Sequence, residues 1–479
     1  MRRDRGPSVT GVGAQQRGAA ALSDASHVPL WLDTPVRPAP RPAVSGATRA
    51  RLAVVGAGFT GLWSALRALE RDPSCALVVL EADRVASAAT GRNGGFVDAS
   101  LTHGLENGIA HFPSEIAVLE RLGRENLDGL EETLRREAID CGYERSGAID
   151  VATRRWHVAA LAQGAKTAED HGEHVELLDA AETRARVDSP TYLGGLRRPG
   201  STAIVDPARL AWGLARAVEA RGGVIHETSP VTALSGEGRF LRLSTPSGTV
   251  IADRAVLATN AFPPLVPKVR RYVLPVYDYV LASEPLDAAQ LATVGWRGRE
   301  GLSDVGNQFH YYRLTPDNRI LFGGYDAIYH YANGIGGGRD VRPASFALLA
   351  GHFFETFPQL EGLRFTHAWG GAIDTCSRFC AFFGTAEHGR VAYAAGFTGL
   401  GVGASRFAAD VLVDLVSGIS SERTALEMVN TKPFPFPPEP LRSLVVARTR
   451  RSLAYADAHG GRRDRWLRLL DRFGIGFDS

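Results

Sequence analysis

The 479-residue chain is poor in the residue types that announce several common chemistries. Its four cysteines are Cys75, Cys141, Cys376 and Cys380, and only the last two are close in sequence. A single C-x-x-x-C pair is a weak zinc signal, so no metal site is expected, and a reduced, cytoplasmic chain is the simplest reading. Lysine occurs only at Lys166, Lys268 and Lys432, so arginine carries nearly all the positive charge. With 54 basic and 52 acidic residues the net charge is +2, which argues against a nucleic-acid footprint. No apolar run approaches the roughly 18 residues of a membrane span. The opening MRRDRG is not followed by the apolar stretch of a secretory signal. Residues 1–45 read instead as a flexible arm rich in Gly, Ala, Ser and Pro, with Trp31 and Leu32 as its docking points.

Glycine, by contrast, is abundant and placed. Residues 51–95 run RLAVVGAGFTGLWSALRALERDPSCALVVLEADRVASAATGRNGG. Leu52 to Val55 reads as a buried parallel strand, and residues 62–70 as a helix presenting Leu62, Leu66 and Leu69 to the sheet. Gly56 permits the tight turn between them, Gly58 a close backbone approach to a pyrophosphate, and Gly61 close packing of helix on strand. Phe59 and Thr60 complete the turn at the helix N-terminus, where backbone amides favour an anion. A second strand, residues 76–80, delivers Glu81 and Ala82 about 20 residues on, where a carboxylate suits ribose hydroxyls and disfavours a 2′-phosphate.

Behind this fingerprint, Thr90-Gly91-Arg92-Asn93-Gly94-Gly95 resembles the loop after the second strand in FAD-dependent oxidoreductases of the D-amino-acid oxidase superfamily. The chain looks closest to the branch that includes gamma-glutamylputrescine oxidase. The resemblance implies an α/β fold, with a Rossmann-type (glutathione-reductase-like) FAD-binding domain and an interleaved α+β substrate domain on an antiparallel sheet. It further implies that Arg92, Asn93, Gly94 and Gly95 run along the pyrophosphate towards the isoalloxazine, that Val231 meets adenine through its backbone, and that Ala258, Thr259 and Gly371 lie beside the cofactor. The loop Gly396-Phe397-Thr398-Gly399-Leu400-Gly401-Val402, between an apolar strand and a helix, is similar to the one facing the flavin pyrimidine edge, with Gly396, Gly399, Leu400, Gly401 and Val402 as contacts. No motif for a covalent flavin is seen at Cys376, so a noncovalent cofactor is expected.

The remaining pattern divides the chain. Residues 46–105, 200–265 and 366–430 read as the FAD-binding domain, and 106–199 with 266–365 as the substrate domain. Residues 431–479 read as a proline linker, PFPFPPEP, followed by a helical arm ending near Gly474. Leu119, Leu122, Leu127, Leu130 and Leu134 mark one face of a long helix. Residues 193–205 are expected as one strand. Asp206-Pro207 opens a helix that Gly222-Gly223 ends, and a β-meander follows Val231. In Phe309-His310-Tyr311-Tyr312-Arg313, alternation puts Phe309, Tyr311 and Arg313 on one face and His310 with Tyr312 on the other, without deciding which roofs the flavin. His310, Tyr312 and Trp369 are the catalytic candidates.

Similar amino-acid oxidases carry an arginine after a tryptophan-glycine pair that clamps the substrate carboxylate. After Trp369-Gly370-Gly371 this chain has Ala372 and Ile373, leaving Arg313 or Arg378 as replacements from elsewhere. The expectation is FAD-dependent oxidation of a C–N bond in an amine, by hydride loss to flavin N5 and hydrolysis of the imine, with O2 as electron acceptor giving H2O2. An amino-acid oxidase, a dehydrogenase serving a protein acceptor and a non-catalytic flavoprotein subunit are the alternatives. No Ser-His-Asp or paired-carboxylate constellation is needed, because the cofactor carries the chemistry. Beyond a small amine or amino acid and O2, no partner is indicated, and the oligomeric state stays open.

Overall fold

Two sheets organise the computed structural model, which describes residues 18–472 and residue 475. The chain visits them alternately. It starts the first with β1 (Gly46–Val55), α1 (Phe59–Arg71) and β2 (Leu77–Leu80). After β3 (Phe96–Asp98) and the long α2 (Ile116–Arg136), it crosses to the second for β4 (Ala148–Ala152), α3 (Arg155–Asp170), β5 (Glu176–Leu178) and β6 (Gly194–Arg198). β7 (Thr202–Ile204) and α4 (Pro207–Ala220) lead back to β8 (Val224–His226), β9 (Ala233–Glu237), β10 (Phe240–Ser244) and β11 (Gly248–Leu257). The second sheet then gains β12 (Leu274–Ser283), β13 (Gly301–Asp304), β14 (His310–Leu314), β15 (Ile320–Gly324) and β16 (Ile328–Tyr329), followed by α5 (Pro343–Thr356) and β17 (Phe365–Thr375). β18 (Phe382–Ala386), β19 (Val391–Ala395) and α6 (Gly401–Ser417) complete the first, and α7 (Leu441–Ala458) with α8 (Arg465–Arg472) form a C-terminal arm.

In the first sheet the order is β18-β19-β11-β1-β2-β8, parallel from β19 to β8, with the β9–β10–β11 meander attached. β2 is buried on both faces, as a parallel strand under helices must be. Leu62, Leu66 and Leu69 of α1 are buried against it. Asp206 caps α4 by accepting from the Ala208 and Arg209 amides, with Pro207 in the first turn. The second sheet is antiparallel apart from the parallel β4–β13 pair. α5 covers one of its faces, where Phe346, Leu349 and Phe353 pack with Tyr279, Tyr312 and Phe322. This is the α/β fold with an interleaved antiparallel domain that the sequence suggested.

Three boundaries move. The single strand expected over 193–205 is two, because Pro199 and Gly200 (φ +68°) turn the chain between β6 and β7. β17 was grouped with the FAD-binding segment from 366, but it pairs along its length with β12, so backbone hydrogen bonding assigns it to the second sheet. The described part of the expected flexible arm is packed: Trp31 is 4% exposed and Ser26 bridges to His367. Residues 1–17 of that arm and Gly474 lie outside the described residues.

Candidate functional site

A cavity of about 1820 Å³ opens where the parallel strands of the first sheet end and the uncovered face of the second begins. Ligands in open α/β sheets bind at the carboxyl ends of the strands, and the turn after β1 is such an end. Gly56 adopts φ +102°, and a Cβ there would lie 2.5 Å from the Ala258 carbonyl oxygen. A Cβ on Gly61 would sit 1.8 Å from the Gly56 oxygen, so the helix can start this close to the strand only with glycine. Gly58, Phe59 and Thr60 line the cavity, and no side chain caps α1. Across the cavity, Gly399, Leu400, Gly401 and Val402 bring in α6, which also lacks a side-chain cap. Two helix N-termini of full length therefore offer their first-turn amides to one space.

Side chains fasten the loops around these termini. Glu81 accepts from the Ala57 amide at 2.7 Å and the Asp83 amide at 3.0 Å, while burial raises its pKa. The Arg92 guanidinium donates to the Gly370 and Ser87 carbonyls and pairs with Asp340 at 3.1 Å. Asn93 donates to the Ala89 and Thr90 carbonyls and accepts from the Gly95 amide. Asp374 accepts from the Gly396 amide at 2.7 Å and the Phe397 amide at 3.2 Å, fixing the loop before α6; burial pushes its carboxyl up to about 6.

Of the residues singled out on sequence, Gly58, Phe59, Thr60, Arg92, Asn93, Gly94, Ala258, Gly371, Gly399, Leu400, Gly401 and Val402 line the cavity. Gly56, Gly61, Glu81, Ala82, Val231, Thr259 and Gly396 stand outside its lining, and Gly95 packs on the Arg313 guanidinium. The three catalytic candidates are displaced from it. His310 and Tyr312 lie on the α5 side of the second sheet: His310 bonds Asp304 and His352, and the Tyr312 hydroxyl meets that of Tyr192 at 2.8 Å. Trp369 is fully buried, and its indole donates to the Arg92 carbonyl at 2.8 Å, so it braces the loop. The reason is packing: the aromatic core under α5 claims the His310–Tyr312 face.

The opposite face supplies what the sequence reading missed. Tyr311 lines the cavity and donates to Asp278 at 2.6 Å; the Tyr279 and Gly324 amides donate to the same carboxylate. Asp278 opens onto the cavity from deep in its wall, and burial pushes it up to about 6. A carboxylate inside the apolar run of β12, between Tyr277 and Tyr279, was the available signal. Neither arginine considered as a clamp is free. Arg313 is 1% exposed, donates to the Gly94 and Val205 carbonyls, and stacks over Trp31. Arg378 donates to the Ala381 and Met428 carbonyls and to the Thr431 hydroxyl. Cys376 is fully buried with its thiol towards the Cys380 and Gly396 carbonyls. Among the described residues no group of His, Cys, Asp and Glu is placed to hold a metal, and no helix is long and apolar enough to cross a membrane.

A family model described as FAD dependent oxidoreductase (DAO) matches residues 51–415. Gamma-glutamylputrescine oxidoreductase of Escherichia coli is 31% identical over 389 residues, which cover 80% of this chain and 87% of that protein. A probable oxidoreductase, OrdL, of Haemophilus influenzae is 27% identical over 388 residues, covering 79% and 85%. Among solved structures, glycine oxidase from Geobacillus kaustophilus matches with a TM-score of 0.66 at 20% identity, over 78% of this chain and 96% of that one, a likeness of fold.

Proposed function

This chain belongs to the DAO family of FAD-dependent oxidoreductases, acting on CH–NH donors, and on that premise we propose that its substrate is an amine without an α-carboxylate. One observation carries the choice: the cavity roof presents a carboxylate, Asp278, while Arg313 and Arg378 are spent on backbone carbonyls and a hydroxyl. An amino acid would bring its own carboxylate to that roof with no bidentate partner from either arginine. An ammonium would find an acceptor there.

The residues fit the cofactor. Uncapped amides at the start of α1, with Gly58, Phe59 and Thr60, suit the pyrophosphate, and Glu81 suits the ribose; by family resemblance Ala82 and Val231 would take the adenine end. Gly94, Ala258 and Gly371, which line the cavity, would flank the flavin, with Gly95 and Thr259 behind them, and α6 would turn its positive end to the ring edge that gains negative charge. FAD, when bound, supplies a two-electron oxidant: a hydride leaves the carbon bearing nitrogen, water hydrolyses the imine, and dioxygen takes the electrons as hydrogen peroxide. The chain's own part is alignment. Asp278 holds the ammonium and receives its proton as the amine becomes neutral, Tyr311 fixes that carboxylate, and Asp374 holds the loop before α6.

The test is anaerobic titration of the purified yellow protein with putrescine-like amines, N-acylated diamines, sarcosine and glycine. Bleaching near 450 nm by an amine alone, followed by peroxide on admitting air, is expected. Bleaching by amino acids alone would overturn the substrate reading, and recovery of colour without peroxide would overturn oxygen as acceptor.

A further inference from the structure

The cavity is larger than one small-molecule site, which typically measures roughly 300–1,000 Å³. Moreover, the adenine-end residues Glu81 and Val231 do not line it, so only part of a dinucleotide shares the space. Its remaining walls differ in character. One limb, along α2 and the end of α3, is charged, with Glu106, Glu120, Arg124, Arg145, Glu173 and Arg198. The other is mostly apolar and is built by the C-terminal arm: Val446, Leu453, Trp466 and Leu470 face it, with Trp156 and, from the proline segment, Phe436, while Arg450 and Arg463 of the arm supply its charge.

This wall is held in place. Asp457 of α7 accepts from the Asn307 and Gln308 amides at 3.0 Å each. Arg442 donates to Asn333 at 2.7 Å, and Glu439 accepts from Tyr329 and the Ala332 amide. Trp466 donates to Thr449, tying α8 to α7. The matched family region ends at 415, so the arm lies outside it, and the arm packs against the same cavity. The apolar limb and Asp278 belong to one continuous cavity, so a substrate held at Asp278 has an open path to the limb.

We infer that the α7–α8 wall seats the apolar tail of the substrate, and that the amine oxidised carries an extended hydrocarbon or aromatic group. The inference rests on the amine reading above. It is tested on the FAD-loaded protein by calorimetry with butylamine, octylamine, dodecylamine and 1-octanol, alongside flavin bleaching by the amines. Affinity is expected to rise with length by roughly fourfold per methylene, the equivalent of about 0.8 kcal/mol, until the limb is full. Octanol should bind there without bleaching. Val446→Asp should abolish the length dependence, and Val446→Ala, which removes two methyl groups without adding charge, should weaken it. Equal affinity at all lengths, or a length dependence unchanged in both variants, would overturn the tail site. Octanol and the long amines binding while no amine bleaches the flavin would instead overturn the amine reading and leave the tail site standing.

Discussion

The two sheets meet the same cavity with different parts of the chain. The parallel sheet presents backbone: glycine turns after β1 and β19 and the bare N-termini of α1 and α6. The antiparallel sheet presents side chains, Asp278 and Tyr311, on strands whose backbone is engaged in pairing and, at Tyr279 and Gly324, in holding Asp278. A site made of backbone tolerates almost no side chain at its turns, whereas a site made of side chains depends on which face of a strand is turned inward.

If that contrast is right, the largest effect comes from the smallest addition, on the backbone side. Gly61→Ala places a methyl group 1.8 Å from the Gly56 oxygen, so α1 must shift from β1 and its amides with it. The expected outcome is a folded but colourless protein, destabilised by roughly 1–3 kcal/mol as in other overpacked interiors. Absorbance of the purified protein and chemical denaturation measure both. Retention of full yellow colour would mean that the α1 terminus does not hold the cofactor.

What could be read in advance follows the same division. Gly56, Gly61 and the Asp206-Pro207 cap were legible because local geometry alone demands those residues. The strand around Tyr311 gave its two faces but not their direction. That direction is set by α5, which lies outside β14 in the chain and buries Tyr312 and Phe322 under Phe353. Trp369 misled because an indole near a cofactor loop suggests contact with the ring, while its hydrogen bond goes to the Arg92 carbonyl. Arg313 was legible only as a candidate carboxylate clamp, because its partners, Gly94 and Val205, are distant in sequence.

On the side-chain face the next effect is charge. Asp278→Asn keeps an acceptor but removes the negative partner of the ammonium, so kcat/KM should fall at least about thirtyfold, the equivalent of roughly 2 kcal/mol. The pH profile gives the sign. Burial pushes Asp278 up to about 6, so in the free enzyme its charged fraction grows as pH rises from about 5 to 7, and kcat/KM for an amine should climb through that window. Asp374 titrates in the same range but faces backbone amides. The Asn variant should therefore lose the limb; a limb that survives in it belongs to another carboxyl, Asp374 or the cavity-lining Glu120, which burial pushes up to about 7, and removes Asp278 from binding.

The smallest effect sharpens the contrast most, because it compares neighbours on one strand. Tyr311→Phe removes the donor to Asp278 on the cavity face, and should lower kcat/KM by roughly tenfold, in keeping with about 1.5 kcal/mol for a hydrogen bond to a charged group. Tyr312→Phe removes a hydroxyl of the same chemistry on the other face, where its partner is the Tyr192 hydroxyl at 2.8 Å. That leaves Tyr192 buried without its partner, at a cost of about 1–3 kcal/mol in stability, read by denaturation. Turnover at a temperature where the variant stays folded should change less than twofold, since no atom of Tyr312 reaches the cavity. Were Tyr312→Phe to slow turnover as much as Tyr311→Phe, the face under α5 would be coupled to the chemistry, and the division between a packing face and a binding face of this sheet would fail.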